Sequence, residues 1–438
     1  MPKLITTRTR IADLGKPRII VVGGGFGGME VVRGLKGLNA QVVLFDKYNH
    51  HTFQPLLYQV ATSALETSSI VYPFRKKFSG QKDFFFRLAE VTEIDPAENT
   101  IHTSIGSVKY DILVLATGAT TNYFGNKEFE KYGLPMKTIE DAIALRNRII
   151  RNSELALLTD DVVEMNRCID YVIVGGGPTG VEIAGALAEL KKHVFPNDYR
   201  ELDFKEMDIH LVEAGPRLLS GMSEKSADRT LSYLQKLGVN VHLNCMITAY
   251  DGLTATFDKM DPIPTRSLIW AAGVKGNPVQ GLDATAYGSG GRILVNEYNQ
   301  VKAHENIYVI GDLAMMASEE FPKGHPMLAP TAISQASLLA KNIKRRLAGK
   351  PLKAYHYVNK GSMATIGRNL AVAEIKSAHF KGRLAWLIWI FVHLMSLVSF
   401  RNRVVTFFSW MVSYFSYDKS NRYIIGKNFG SEGPTDDR

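Results

Sequence analysis

At 438 residues, 45% hydrophobic and 22% charged, the chain has material for two or three domains and is too apolar to be intrinsically disordered. Its formal net charge of +9 leaves nucleic acid, an anionic membrane surface and anionic cofactors as possible partners. The two cysteines, Cys168 and Cys245, lie far apart, which excludes a disulfide scaffold, a cysteine zinc site and an adjacent redox pair, and they read as buried thiols in a reducing compartment.

The first 18 residues are basic but lack an apolar core, so no secretory signal is expected. Arg18 to Val22 reads as a buried parallel strand. It leads into Gly23-x-Gly25-x-x-Gly28 and a predicted helix from Met29 to about Leu38. QVVLFD is a second buried strand ending at Asp46, 18 residues after Gly28. That is close to the spacing of about 20 at which an acid binds a ribose hydroxyl in a dinucleotide fold. Residues 49 to 60 are expected to be a loop, because Pro55 prevents a simple helix. From Asp83 to Leu115 the alternation FFFRLAEVTEI and the run YDILVLATG suggest a small meander, with Gly118 placed for close backbone approach to a ring system.

A connection and an Arg- and Ile-rich helix fill Pro135 to Leu158. The opening pattern then returns 152 positions later as Gly175, Gly177 and Gly180. One such fingerprint is a weak signal, but two, each after a β-branched run and before a helix, are strong. We read FAD at the first copy and NAD(P)H at the second. An insertion around PNDYRELDFKEM delays the next strand, so Glu213 falls 33 residues after Gly180, still at that strand's end. A carboxylate there repels a 2′-phosphate and favours NADH, although Arg217 is close in sequence. LIWAAGV parallels LVLATG of the first unit. ENIYVIGDLA is a further strand, and its terminal Gly311-Asp312 places a carboxylate for the flavin ribityl or phosphate region. A helix is predicted from about Ala332 to Leu347. Glu182 has two compatible readings: half of a capping box with Thr179, or a carboxylate facing the nicotinamide side of a dinucleotide.

The last sixty residues change character. Leu384 to Phe400 holds seventeen residues without formal charge. At about 1.5 Å per residue it would extend roughly 26 Å, just short of a bilayer core. After Arg401-Asn402-Arg403, the apolar run resumes from Val404 to Tyr417. Trp386, Trp389 and Trp410 lie here, and eight Lys or Arg face one acid, Asp418, between Lys376 and Lys427. Aromatic and apolar segments bracketed by cations suit an anionic membrane surface. A pair of core or dimer-interface helices is the alternative. With neither a metal cluster nor a Ser/His/Asp arrangement visible, the chemistry is expected to belong to the cofactor. The apolar, basic tail points to a lipid-dissolved quinone as the final acceptor, and not to nucleic acid.

Several stretches resemble the type II NADH dehydrogenases, single-subunit NADH:quinone oxidoreductases that do not pump protons. They are HHTFQPLLYQVAT (His50 to Thr62), the two fingerprints, WAAGV (Trp270 to Val274), IGD (Ile310 to Asp312), KGSMATIGRN (Lys360 to Asn369), FRNR and YFSYD. The resemblance covers about residues 17 to 427, and its tail motifs are more discriminating than the glycines. It implies an α/β fold with two Rossmann-like dinucleotide-binding domains, like that of glutathione reductase, plus a C-terminal amphipathic helical membrane anchor. The expected domains are a discontinuous FAD-binding domain at 17–150 and 282–383, an NADH-binding domain at 168–281 and an anchoring domain at 384–438. FAD would be held by Gly23, Gly25, Gly28, Asp46, Gln54, Gly118, Gly311 and Asp312, with Lys360 near the flavin ring. NADH would be held by Gly175, Gly177, Gly180, Glu213 and Gly273, with Glu182 linked to NADH and quinone handling. A homodimer, peripheral to the cytoplasmic face of the cell membrane, is also implied.

The sequence departs from the family at the quinone motif. An AQxAxQ-type stretch is replaced by APTAISQAS, which puts Pro330 and Ser334 at the glutamine positions and leaves Ala332, Ser334 and Gln335 as quinone-site candidates. Three other readings share the glycines. A sulfide:quinone-type enzyme needs cysteines beside the flavin, and a soluble ferredoxin-type reductase does not need the tail. An NADH-responsive redox sensor would bind without useful turnover.

Overall fold

The computed structural model describes residues 9–416 and 421–425. Tyr417, Asp418 and Lys427, which belong to the expected tail, lie outside the described residues. The chain forms two compact units. One draws on residues up to 52, 71–120 and 274–358, and the other on 53–70, 121–273 and 359 onward.

In the first unit the strands Gln300–Val301, His304–Val309, Ile112–Leu115, Arg18–Val22, Gln41–Asp46 and Phe84–Leu88 lie side by side in that order. All pairs are parallel except the edge pair of Gln300–Val301 with His304–Val309. Successive side chains of a strand alternate between faces. Ile19 and Val21 therefore pack under the helices Phe26–Gly34 and Ala329–Leu347, with Leu44, Phe86, Leu339 and Ile343. Ile20 and Val22 face the opposite layer, with Phe45, Ile94, Ile101 and Val108. Both faces are covered, which is why these strands read as continuous apolar runs.

In the second unit Leu134–Pro135, Ser267–Trp270, Tyr171–Val174, Ile209–Glu213 and Asn240–Leu243 form a parallel sheet in that order. The helix Pro178–His193 follows Tyr171–Val174 directly. Ser362–Gly367, Leu370–Ile375 and Ala378–Lys381 form an antiparallel sheet. The helices Gly382–Ser396 and Phe400–Ser416 follow. Among the described residues, no helix is long and apolar enough to cross a membrane.

Four local expectations are corrected. Phe84–Leu88 is not meander. It pairs in parallel with Gln41–Asp46, because Phe84 and Phe86 fill the helix-side core while Phe85 packs on the other face. The meander is Val91–Asp95, Thr100–Thr103 and Gly106–Lys109. The expected loop at 49 to 60 contains the strand His50–Thr52, a 3₁₀ turn Gln54–Leu56 and the helix Leu57–Ala61. Pro55 sits in a first turn, where its missing N–H costs nothing. The first fingerprint helix starts at Phe26 and ends at Gly34, earlier at both ends than the apolar pattern suggested. Thr179 and Glu182 form no capping box: Gly177 is the N-cap and carries no side chain, which puts Thr179 second in the helix and Glu182 in its second turn.

Candidate active site

The glycine loop of the first unit is shaped by contacts that only hydrogen satisfies. A Cβ on Gly28 would stand 1.8 Å from the Gly23 carbonyl oxygen, and one on Gly23 would stand 2.4 Å from that of Ala116. Gly23 also has φ +98°, a backbone region that other residues rarely adopt. Gly25 and Gly118, by contrast, face open space. Gly25 is the N-cap and no side chain caps the helix, so its positive end is left for an anion.

Asp46 closes the far side of this loop. Its Oδ2 accepts the Gly24 N–H at 2.5 Å and its Oδ1 the Tyr48 N–H at 2.7 Å. Burial raises its pKa, and these backbone bonds partly offset the rise. His51 Nδ1 lies 3.2 Å from the Gly24 carbonyl oxygen, which makes Nδ1 the donor and leaves buried Nε2 as an acceptor without a partner. Burial lowers the His51 pKa to about 4, so the ring is neutral. Sequence reasoning quoted His51 within a motif but gave it no role. Only its enclosure under the glycine loop singles it out.

Gly311 (φ +70°) turns the chain at the end of His304–Val309 and donates its N–H to Gln335 Oε1 at 2.8 Å. Ala332 packs against Gly311, at 3.2 Å from the position a Cβ would take. Of the three quinone-site candidates, Ala332 and Gln335 are thus buried beside the turn that carries Asp312. Ser334 donates to the Thr331 carbonyl oxygen and pairs with the Tyr355 hydroxyl. An uncapped helix end, open positions over Gly25 and Gly118, an acid at the second strand end and an orphaned imidazole nitrogen together fit FAD.

The second unit repeats the device. A Cβ on Gly180 would stand 1.9 Å from the Gly175 carbonyl oxygen, Gly177 faces open space, and the helix again has no side-chain cap. Glu213 Oε2 accepts the Gly176 N–H at 2.6 Å and Oε1 the Gly215 N–H at 2.7 Å, as Asp46 does for Gly24. The insertion lengthened the connection without moving the acid from the strand end. Gly273 follows the parallel strand Ser267–Trp270 and accepts the Asn122 N–H. Gln54 and Lys360 are both exposed, at the start of a 3₁₀ turn and just before Ser362–Gly367.

Glu182 lies apart from the glycines, on the wall of a cavity of about 100 Å³. Its neighbours include Tyr58, Thr365, Trp386, Trp389 and Trp410. Removal from water pushes its carboxyl up to about 8, and the Thr365 amide and the Trp389 indole offset this only in part. At neutral pH it therefore holds its proton. Tyr58, Gln59 and Trp410 were missed as site residues. The signal available in sequence was an interfacial tryptophan and a motif tyrosine, with nothing to bring them together. Among the described residues, no group of three or more His, Cys, Asp or Glu is arranged to hold a metal.

Two dinucleotide folds with this loop chemistry define a flavoprotein of the pyridine nucleotide-disulphide oxidoreductase class, and residues 17–336 match that family. Residues 359–416 match the NDH2 C-terminal domain. The chain is 37% identical over 417 residues to the type II NADH:quinone oxidoreductase NdhA of Mycobacterium tuberculosis, covering 91% of this chain and 87% of that one. To Ndh of the same organism it is 34% identical, covering 91% and 88%. The structure of NDH2 from Plasmodium falciparum in complex with NADH superposes with a TM-score of 0.84 over 94% of this chain and all of that one; at 21% identity this establishes a shared fold. The sulfide:quinone oxidoreductase of Aquifex aeolicus, at 18% identity, covers 91% of this chain and 95% of its own with a TM-score of 0.71. The chain belongs to the type II NADH:quinone oxidoreductase family.

Proposed function

We propose how this FAD-dependent NADH:quinone oxidoreductase divides its work among its residues. The FAD-binding domain is drawn from 17–150 and 282–383, the NADH-binding domain from 168–281, and the anchoring domain from 384–438. Bound FAD would supply the hydride acceptance from NADH and the two-electron transfer to the quinone. Gly23, Gly25 and Gly28 let a pyrophosphate reach the uncapped helix end, and Asp46 accepts from the adenosine ribose. We assign Gln54 and Lys360 to the flavin from the family resemblance alone, and Gly118, Gly311 and Asp312 complete its surroundings in the first unit. Gly175, Gly177, Gly180 and Gly273 do the same for NADH. Glu213 accepts from its ribose and repels the 2′-phosphate of NADPH.

One observation carries this reading. Glu182, on the helix of the NADH fingerprint, shares a cavity with three tryptophans of the apolar tail. A carboxyl that keeps its proton up to about pH 8 holds a proton ready for a quinone oxygen in that cavity. The tail helices expose Leu384, Leu387, Phe391, Phe407, Phe408 and Phe415. Lys381, Arg383, Arg401 and Arg403 flank these apolar faces. Helices of this kind lie in the headgroup layer of an anionic membrane. We place the enzyme there as a peripheral homodimer on the cytoplasmic face. Co-sedimentation with anionic vesicles that persists after residues 384–438 are deleted would reject the anchor.

The decisive assay supplies purified protein with NADH or NADPH and soluble ubiquinone or menaquinone analogues. NADH oxidation coupled to quinol formation is expected, with NADH strongly preferred. Glu213→Ala should raise the KM for NADH about 10-fold, as for the loss of a charge-assisted hydrogen bond, and narrow the preference over NADPH. Flavin that NADH reduces but no quinone reoxidises would overturn the reading, and unchanged nucleotide selectivity would remove Glu213 from the site.

A further inference from the structure

Three side chains of the second unit form an ordered hydrogen-bond chain. Trp410, on Phe400–Ser416, donates its indole N–H to Gln59 Oε1 at 2.7 Å. Gln59 Nε2 lies 2.9 Å from the Tyr58 hydroxyl. An indole N–H can only donate, so the Gln59 oxygen must face Trp410 and its NH₂ must face Tyr58. The Tyr58 oxygen is therefore the acceptor of that bond, and its own hydrogen must point elsewhere. Tyr58 is 7% exposed and its hydroxyl makes no other hydrogen bond among the described residues. It lines the cavity that Glu182 also lines. A buried hydroxyl with an unspent donor is costly unless something in the cavity accepts from it.

Of the other lining groups, Glu189 is engaged through Oε1 by the Arg368 N–H. The buried Trp389 indole N–H is turned to the Glu182 carboxyl. Glu182, protonated at neutral pH, is a further donor. The Gln59 oxygen is already engaged by Trp410. Among these groups the cavity therefore offers donors and few free acceptors. A quinone presents two carbonyl oxygens and no donor, whereas a quinol presents two O–H groups that need acceptors.

Resting on the quinone-reductase reading, we infer that the Trp410–Gln59–Tyr58 chain turns the Tyr58 O–H into the cavity as a dedicated donor to a quinone carbonyl, so that the pocket binds the oxidised substrate in preference to the quinol product. Tyr58 touches the substrate. Gln59 and Trp410 are positioning residues: they act by denying Tyr58 any other acceptor. Without the Trp410 N–H, the Gln59 amide is free to turn and present its oxygen to Tyr58, which would draw the hydroxyl hydrogen out of the cavity.

The test is binding of 2-methyl-1,4-naphthoquinone to the oxidised, FAD-loaded full chain by titration calorimetry, with quinol product inhibition measured alongside. Tyr58→Phe removes one oxygen and should weaken quinone binding about 10-fold, the effect of one well-made hydrogen bond. Inhibition by the quinol should not weaken in step. Trp410→Phe, which leaves the Tyr58 hydroxyl in place, should weaken quinone binding to a similar degree. The double variant should be no weaker than either single one, because both remove the same donor. A structural role for Trp410 predicts additive losses and an equal loss of quinol affinity. Wild-type quinone affinity in Tyr58→Phe, or additive losses in the double variant, would overturn the inference while leaving the quinone-reductase reading intact. A wild-type enzyme that reduces no quinone would instead overturn that reading.

Discussion

Gly28→Ala is expected to purify with little FAD and to oxidise NADH at a small fraction of the wild-type rate. The added Cβ would stand 1.8 Å from the Gly23 carbonyl oxygen, well inside contact distance. Gly23 cannot retreat, because it has φ +98° and is itself wedged against the Ala116 carbonyl. The helix Phe26–Gly34 must move instead, and its uncapped end moves with it. Overpacking of this kind costs up to about 3 kcal/mol, which corresponds to roughly a hundredfold in FAD affinity if it falls on the bound form. Gly25→Ala is the informative companion. Its Cβ enters open space and should leave thermal stability near wild type while filling the position over the helix end where we propose the pyrophosphate binds. Flavin absorbance per mole of purified protein, with and without added FAD, reads both. Full flavin occupancy and wild-type turnover in Gly28→Ala would show that the loop relaxes more easily than its contacts imply.

Gly185→Ala tests the other half of the molecule. In the interior of a helix this substitution ordinarily stabilises, by about 0.5–1 kcal/mol. Here the sign should reverse. The Cβ would stand 1.6 Å from the Ile366 carbonyl oxygen, because Pro178–His193 lies backbone to backbone on Ser362–Gly367. Glu182 precedes Gly185 by one turn and takes support from the Thr365 amide, and Glu189 follows by one turn and accepts the Arg368 N–H at 2.6 Å. Separating helix and strand loosens both carboxyl groups together. A loss of about 3 kcal/mol in stability is expected. Quinone reduction should fall roughly a hundredfold, the usual consequence of displacing a reacting group by about 1 Å. Thermal unfolding combined with quinone kinetics decides it. A melting temperature at or above wild type would mean that the interface yields without cost.

Much of the nucleotide chemistry was legible beforehand because it is local. Glycine spacing, a β-branched run before it and an acid at the next strand end lie within one β-α-β unit, and the physics linking them acts over a few residues. Asp46 and Glu213 were located this way, and both prove to hold the amide that follows the first glycine. Apolar runs also revealed parallel strands buried on both faces. The same local rules misjudged Phe84–Leu88, since a run of three phenylalanines does not say which sheet will bury it. They also misassigned Thr179, since a capping pattern is meaningless once a proline opens the helix one residue earlier.

What sequence alone determined, then, was the number and kind of dinucleotide folds, the acids at their strand ends and the apolar, cation-bracketed character of the tail. Only tertiary structure decided what Glu182 faces. The bond from Trp410 to Gln59 joins positions 351 residues apart, and the close approach at Gly185 depends on a strand that begins at Ser362. No periodicity or propensity encodes such pairs. They arise when packing brings distant segments together and removes water from between them, and that removal keeps a proton on Glu182 at neutral pH and gives the direction of the Tyr58 hydroxyl its consequence.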